Sequence, residues 1–177
     1  MKTQGITGKS TEQKVQACLK LIGLESEKPK PDKGIDLIVW DSANHEKKPF
    51  IKIQIKGRGS IQQNGRHRWF QIRTTKKQRD DTEEAGLPVS ETWQKKVDLC
   101  DFFVLVSEKH EEYWVFPVSI IYEIIEHTKD KYKNREDNIS GKQVEINLDL
   151  DYQGRLLTDI YASYKNNFAL IRERLKN

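Results

Sequence analysis

The 177-residue chain is 36% apolar, with a net charge of +4 and a mean hydropathy of −0.79, which suits one domain around one core. No apolar run approaches the roughly 18 residues of a membrane span, and MKTQGITGKS lacks the apolar stretch of a signal peptide. Cys18 and Cys100 form no CxxC pair and the four histidines show no zinc spacing, so the reading is a cytoplasmic protein with two buried thiols and no zinc centre.

In chain order, GITGKST comes first. It has too few residues between Gly5 and Gly8-Lys9-Ser10 for a phosphate-binding loop, and no strand precedes it. Residues 10–22 are predicted helical, with Ser10 and Gln13 at capping-box spacing and Val15, Cys18, Leu19 and Ile22 as the apolar stripe. Glu12 falls on the inward side of that stripe and needs a cation or a hydrogen-bond partner there; at the frayed helix end it would only favour the helix dipole. Residues 24–34 read as a turn-rich loop. IDLIVW (35–40) reads as a strand with Asp36, Ile38 and Trp40 on one face.

IKIQIK (51–56) alternates isoleucine with Lys52, Gln54 and Lys56, the period of a strand. Gly57-Arg58-Gly59 follows, and RWFQIR (68–73) reads as a third strand. Residues 74–90 are expected as a polar surface loop and 90–97 as a short helix. FFVLV (102–106) is a buried strand and EEYWVF (111–116) another. A helix follows Pro117, a loop covers 128–142, VEINLDL (144–150) reads as an edge strand, and apolar residues from Leu157 to Leu175 recur at the spacing of one terminal helix. This order predicts an α/β (α+β) layered domain with a mixed sheet. The expected division is a core over 1–127 and an extension over 128–177, packed on the same domain or at an oligomer interface.

The charge is uneven. Eleven of the 31 basic residues lie between Lys47 and Arg79, a stretch without Asp or Glu, so the rest of the chain holds 20 basic and 27 acidic residues. A local basic tract on an otherwise acidic chain points to a polyanion, with nucleic acid first. Gln54 and Lys56 leave one face of their strand, Asp36 opens the neighbouring strand, and Glu12 looks in from the first helix. Two carboxylates, an amide and an ammonium are the parts that phosphodiester hydrolysis with a hard divalent cation requires. Gly57 and Gly59 let backbone approach a phosphate, with Arg58 beside it. His67 reads as a phosphate contact or an inert residue.

Glu12, the stretch PDKGIDLIV with Asp36, and Gln54-Ile55-Lys56 resemble the motif of the PD-(D/E)XK nuclease superfamily. They are most similar to its branches of restriction and homing type in which glutamine replaces the second acid. The resemblance covers about residues 8–116 and implies a restriction-endonuclease-like core, a central mixed sheet flanked by helices. It implies a Mg²⁺-dependent, site-specific DNA endonuclease, with Mn²⁺ as a substitute ion. Asp36, Gln54 and Glu12 would hold the metal and Lys56 would be catalytic, with Asp32 of the literal Pro31-Asp32 as the other choice of aspartate. Arg58, Arg66, Arg68, Arg73, Lys76, Lys77 and Arg79 would contact double-stranded DNA, and a duplex cut implies a homodimer or larger homo-oligomer. The alternatives are a junction or repair nuclease, a nuclease fold that only binds DNA, and an interaction module that binds none.

Overall fold

A computed structural model describes residues 4–31, 34–44, 46–58, 68–132 and 140–176. Its centre is a five-stranded mixed sheet in the order β1-β2-β3-β5-β6, with β1 Leu24–Glu27, β2 Leu37–Asp41, β3 Ile51–Arg58, β5 Phe102–Ser107 and β6 Glu112–Pro117. β3 and β5 run parallel and the other neighbours antiparallel. The intervening β4 (Trp69–Arg73) pairs with β7 (Gln143–Asn147) as a separate antiparallel ribbon. The expected mixed sheet flanked by helices is present.

The sheet separates two cores. On one face Val15 and Leu19 of α1 (Gln4–Leu21) meet Leu37, Val39, Ile51, Ile53, Ile55, Val104 and Val106. On the other, Phe103, Leu105, Trp114 and Phe116 meet the β4–β7 ribbon through Phe70, Ile72, Val144 and Ile146, and α4 (Val118–Tyr132) through Ile121, Ile124 and Ile125. Burying these residues removes apolar area from water at about 25 cal/mol per Å², the main force holding both layers to the sheet. No helix among the described residues is long and apolar enough to cross a membrane.

Several expectations are corrected. The first helix starts at Gln4, so the glycines of GITGKST are helical and Ser10 is no cap. Residues 24–27, expected in a loop, form β1 on β2; only Leu24 of that edge strand is buried, so the apolar signal was one residue deep. The third strand of the antiparallel run is therefore β1, and 69–73 belongs to the ribbon. The expected loop over 74–90 contains α2 (Lys76–Glu84), started by a reciprocal capping box between Thr75 and Gln78. The short helix over 90–97 is a 3₁₀ turn, Val89–Glu91, and then α3, Gln94–Val97.

The single terminal helix is replaced by a broken path. After the small β8–β9 hairpin (Asp151–Tyr152 and Arg155–Leu156), α5 (Leu157–Ile160) and Tyr161 pack with the ribbon-side core. Phe168 and Ile171, on or beside α6 (Ala169–Lys176), enter the core on the other face. One straight helix cannot serve both faces of a sheet. The chain crosses between them at a 3₁₀ turn (Ala162–Tyr164), with a bridge from Lys165 to Trp114 that covers the outer edge of β6.

Candidate active site

β3 lies between β2 and β5, so its polar face is not a solvated edge. Ile51, Ile53 and Ile55 are buried toward α1, while Lys52, Gln54, Lys56 and Arg58 are half-buried on the ribbon side. The backbone N–H of Asp36 donates to the Ile53 carbonyl at 2.9 Å, just before β2 begins. Beyond that point β2 no longer supplies a backbone partner. The Asp36 carboxylate fills the gap: its Oδ2 accepts the Ile55 N–H at 2.6 Å and a bond from the Gln54 amide nitrogen. The sequence spacing thus places Asp36, Gln54 and Lys56 at the point where two strands part.

Asp36 is held up in pKa. Burial is the largest cause; the Ile55 N–H and the Lys56 ammonium pull the other way, the Glu12 carboxylate pushes up, and Lys28 pulls down. The net result is a carboxylate whose charge is incompletely compensated by the protein. Such sites favour an added cation. Asp32 lies outside the described residues.

Glu12 sits about two turns inside α1, so the frayed-end reading falls away. It is half-buried, and its Oε1 accepts from Lys28 Nζ at 3.4 Å. Its approach to Asp36 depends on Gly57. A Cβ at Gly57 would stand 2.9 Å from Thr11 Oγ1 and 3.1 Å from Thr11 Cγ2. Both branches of Thr11 are in the way, so no rotation of that buried side chain makes room, and the helix is seated against β3 by the missing methyl.

Lys56 is electrostatically coupled to Asp36 and to Lys96 of α3, whose ammonium is pushed down by burial and by the Lys56 charge. Lys56, Gly57, Arg58, Phe70, Gln71 and Arg73 line a cleft of about 310 Å³ with three cations and no carboxylate. A larger cavity of about 490 Å³ near Cys100, Pro117 and Arg174 lies at the other end of β3 and β5. It lacks the convergence of strand-borne acid, amide and lysine. Cys100 is buried as expected, and burial pushes its thiol up to about 12.

The expected DNA contacts divide. Arg58 donates through Nε to the Trp69 carbonyl and ties β3 to β4 while lining the cleft. Arg73 is exposed, with Nη2 on Gln71 Oε1 at 3.0 Å. Lys76 and Lys77 are exposed on α2, Lys76 paired with Asp80 at 2.7 Å. Arg79 caps locally, its Nη1 on the Thr74 carbonyl and hydroxyl, both at 3.1 Å. Arg68 is engaged within the fold. Its guanidinium is a fork on buried Glu112 at 2.6 and 2.9 Å and also reaches Asp149 at 3.0 Å, so it ties parts of the fold together. Arg66 and His67 lie outside the described residues.

Sequence reasoning missed Lys28, Lys96 and Thr11. Lys28 carried a usable signal as a cation in the loop leading to Asp36. Lys96 and Thr11 carried none, because one depends on a short helix folding beneath Lys56 and the other on the packing of helix on strand. Among the described residues no three His, Cys, Asp or Glu side chains meet as a metal cluster. Asp36 and Glu12 are two carboxylates, and Gln54 adds an amide. This donor set fits a magnesium-like ion, which needs only one or two carboxylates and keeps its waters, and does not fit zinc.

No protein-family model matches the chain, and no curated protein matches it. Among solved structures, it is similar to a bacterial homing endonuclease, I-Ssp6803I, at 20% sequence identity and a TM-score of 0.50, over 99% of this chain and 96% of that one. The two share a fold along their whole length.

Proposed function

We propose that this protein is a DNA endonuclease that hydrolyses phosphodiester bonds with a divalent cation, Mg²⁺ or Mn²⁺, held by Asp36 and Glu12 with Gln54. The observation that carries the reading is the under-compensated Asp36 carboxylate coupled to Lys56, which itself lines a cleft of cations with Arg58 and Arg73. The fold likeness to a homing endonuclease, with the Glu12, Asp36, Gln54 and Lys56 pattern, supports a nuclease of the PD-(D/E)XK kind acting at specific sites. When bound, the cation polarises the phosphate and acidifies a water. Asp36 and Glu12 supply its negative ligands. Lys56 offsets the negative charge on the phosphoryl oxygens as the water oxygen bonds to phosphorus and one P–O bond of the backbone breaks. Arg58 and Lys77 hold the neighbouring phosphates. One such site cuts one strand, so a duplex cut calls for a homodimer or larger assembly.

The test is incubation of supercoiled, linear and branched DNA with Mg²⁺, Mn²⁺ or EDTA, beside Lys56→Ala and Asp36→Ala. Metal-dependent products that both variants fail to make are expected, discrete fragments on linear duplex marking site-specificity and cutting of branched DNA alone marking the junction or repair reading. The Lys28–Glu12 ion pair and the neutral Gln54 favour one second reading, a DNA-binding protein without chemistry. Salt-sensitive binding with no cutting on any DNA would establish it.

A further inference from the structure

The β4–β7 ribbon has a second face that the core does not use. Phe70, Ile72, Val144 and Ile146 point inward, so Trp69, Gln71 and Arg73 on β4 and Gln143, Glu145 and Asn147 on β7 point outward. Trp69, Glu145 and Asn147 are buried, but the other end opens: Gln71 and Gln143 are half-buried and Arg73 is exposed. Arg73 faces Gln143 across the ribbon, and Gln71 faces Glu145.

Two observations show that Arg73 is held in place. Lys96 Nζ donates to its backbone carbonyl, and the Gln71 amide oxygen accepts from its Nη2 at 3.0 Å. That bond uses one of the five guanidinium donors and orients the plane of the rest. Arg73 and Gln71 also line the same 310 Å³ cleft as Lys56. A two-stranded ribbon fits the major groove of B-DNA, where arginine pairs bidentately with guanine and glutamine with adenine. Phosphate contacts, by contrast, carry no sequence information.

We propose that the open end of this ribbon is a base-reading element, with Arg73, positioned by Gln71 and Lys96, specifying a guanine near the phosphate beside Lys56, whose cleft it shares. The inference rests on the DNA-endonuclease reading for duplex binding alone. It separates Arg73 in role from Arg58 and Lys77, which contact phosphate whatever the sequence.

The experiment is selection of bound duplexes from a randomised DNA library in EDTA, so that binding is read without cutting, for the wild type, Arg73→Lys, Arg73→Ala and Gln71→Ala. Wild type should enrich guanine at one position. Arg73→Lys should weaken that preference by about tenfold, because a rotatable ammonium replaces the rigid planar fork that Gln71 orients. Its salt dependence should stay as in the wild type, since the charge is kept. Gln71→Ala should weaken the preference less and serves as the second variant should changes at Arg73 disturb the ribbon, which a thermal melt reports. Retained preference in Arg73→Lys, or equal loss of affinity for all sequences in Arg73→Ala, overturns base reading and leaves the nuclease reading intact. Selective binding without cutting in Mg²⁺ defeats the nuclease reading and leaves this one standing. Failure of the wild type to bind any duplex defeats both.

Discussion

Two clusters of charge in this protein handle a carboxylate in opposite ways. Around Glu112, at the start of β6, every need of the anion is met. Arg68 grips it with two bonds, Lys165 donates at 2.7 Å and the Trp114 indole at 3.2 Å. Burial pushes its carboxyl up, yet the hydrogen bonds from Arg68 and Lys165 outweigh that and hold it at about 2. The cluster clamps β4, β6, the segment after β7 through Asp149, and the chain that crosses the β6 edge. Around Asp36, burial wins instead, and the carboxyl is held above its ordinary value with a second carboxylate nearby. A charge fully answered by the protein stabilises the fold. One left partly unanswered is available to chemistry, and the protein bears a cost in stability for it.

The largest expected effect breaks the Asp36 cluster as a catalyst. Lys56→Ala and Asp36→Ala should each lower metal-dependent cutting by about 10³-fold, near the upper range for removal of one electrostatic contact in an active site. Thermal melting should change little in Lys56→Ala, because the attraction lost at Asp36 is offset by relief of the repulsion with Lys96. A large loss of melting temperature parallel to the loss of cutting would make Lys56 a structural residue.

Next is the Glu112 cluster, where the order of effects reverses. Glu112→Gln leaves Arg68 and Lys165 without their anion and should destabilise by about 3 kcal/mol, a fall of roughly 10 °C in melting temperature for a chain this size. Cutting per folded molecule should be unchanged. In the wild type this contribution is complete above the unfolded value of 4.5 and is lost as pH falls toward the folded value of about 2. The variant should lack that acid slope, measured by urea titration across the window. An identical slope in both proteins would show that the clamp is not built on Glu112.

A smaller effect tests how the Asp36 cluster is assembled. Gly57→Ala should push α1 off β3 at Thr11 and carry Glu12 with it, lowering cutting by about 10²-fold at a cost of about 1–3 kcal/mol in stability. Thr11→Ala makes space, so the double variant should recover much of both losses. Additive losses in that cycle would mean the two residues do not press on one another.

What the sequence made legible divides along the same line. Asp36, Gln54 and Lys56 lie on adjacent strands, and a period of two fixes which side chains share a face, so their grouping could be read from spacing. The Arg68–Glu112–Lys165 clamp spans 97 residues of chain and joins pieces that touch only after folding; from sequence, Arg68 was one more cation in a basic tract. The broken C-terminal path was hidden for a related reason. Its apolar residues keep helical spacing, but their partners lie on two faces of the sheet, which only the position of β6 reveals. β4 carried a strand pattern, and no local signal told which strand it would join.

The smallest effect is the sharpest, because the two clusters predict opposite signs. Asp36→Asn keeps an oxygen that accepts both the Ile55 N–H and the Gln54 amide N–H, so packing is preserved. The unfolded aspartate titrates near 3.8, and the folded one above it. Between those values the native state binds more protons than the unfolded chain, so wild-type stability declines as pH rises through the window and stays lowered above it. Asparagine does not titrate. The variant should therefore match the wild type near the unfolded value and become the more stable protein at neutral pH, each kcal/mol appearing as about 2–4 °C. It should do so while losing the cutting activity. A variant that melts below the wild type at pH 7 in metal-free buffer would place Asp36 with Glu112, as a carboxylate whose charge the fold already answers.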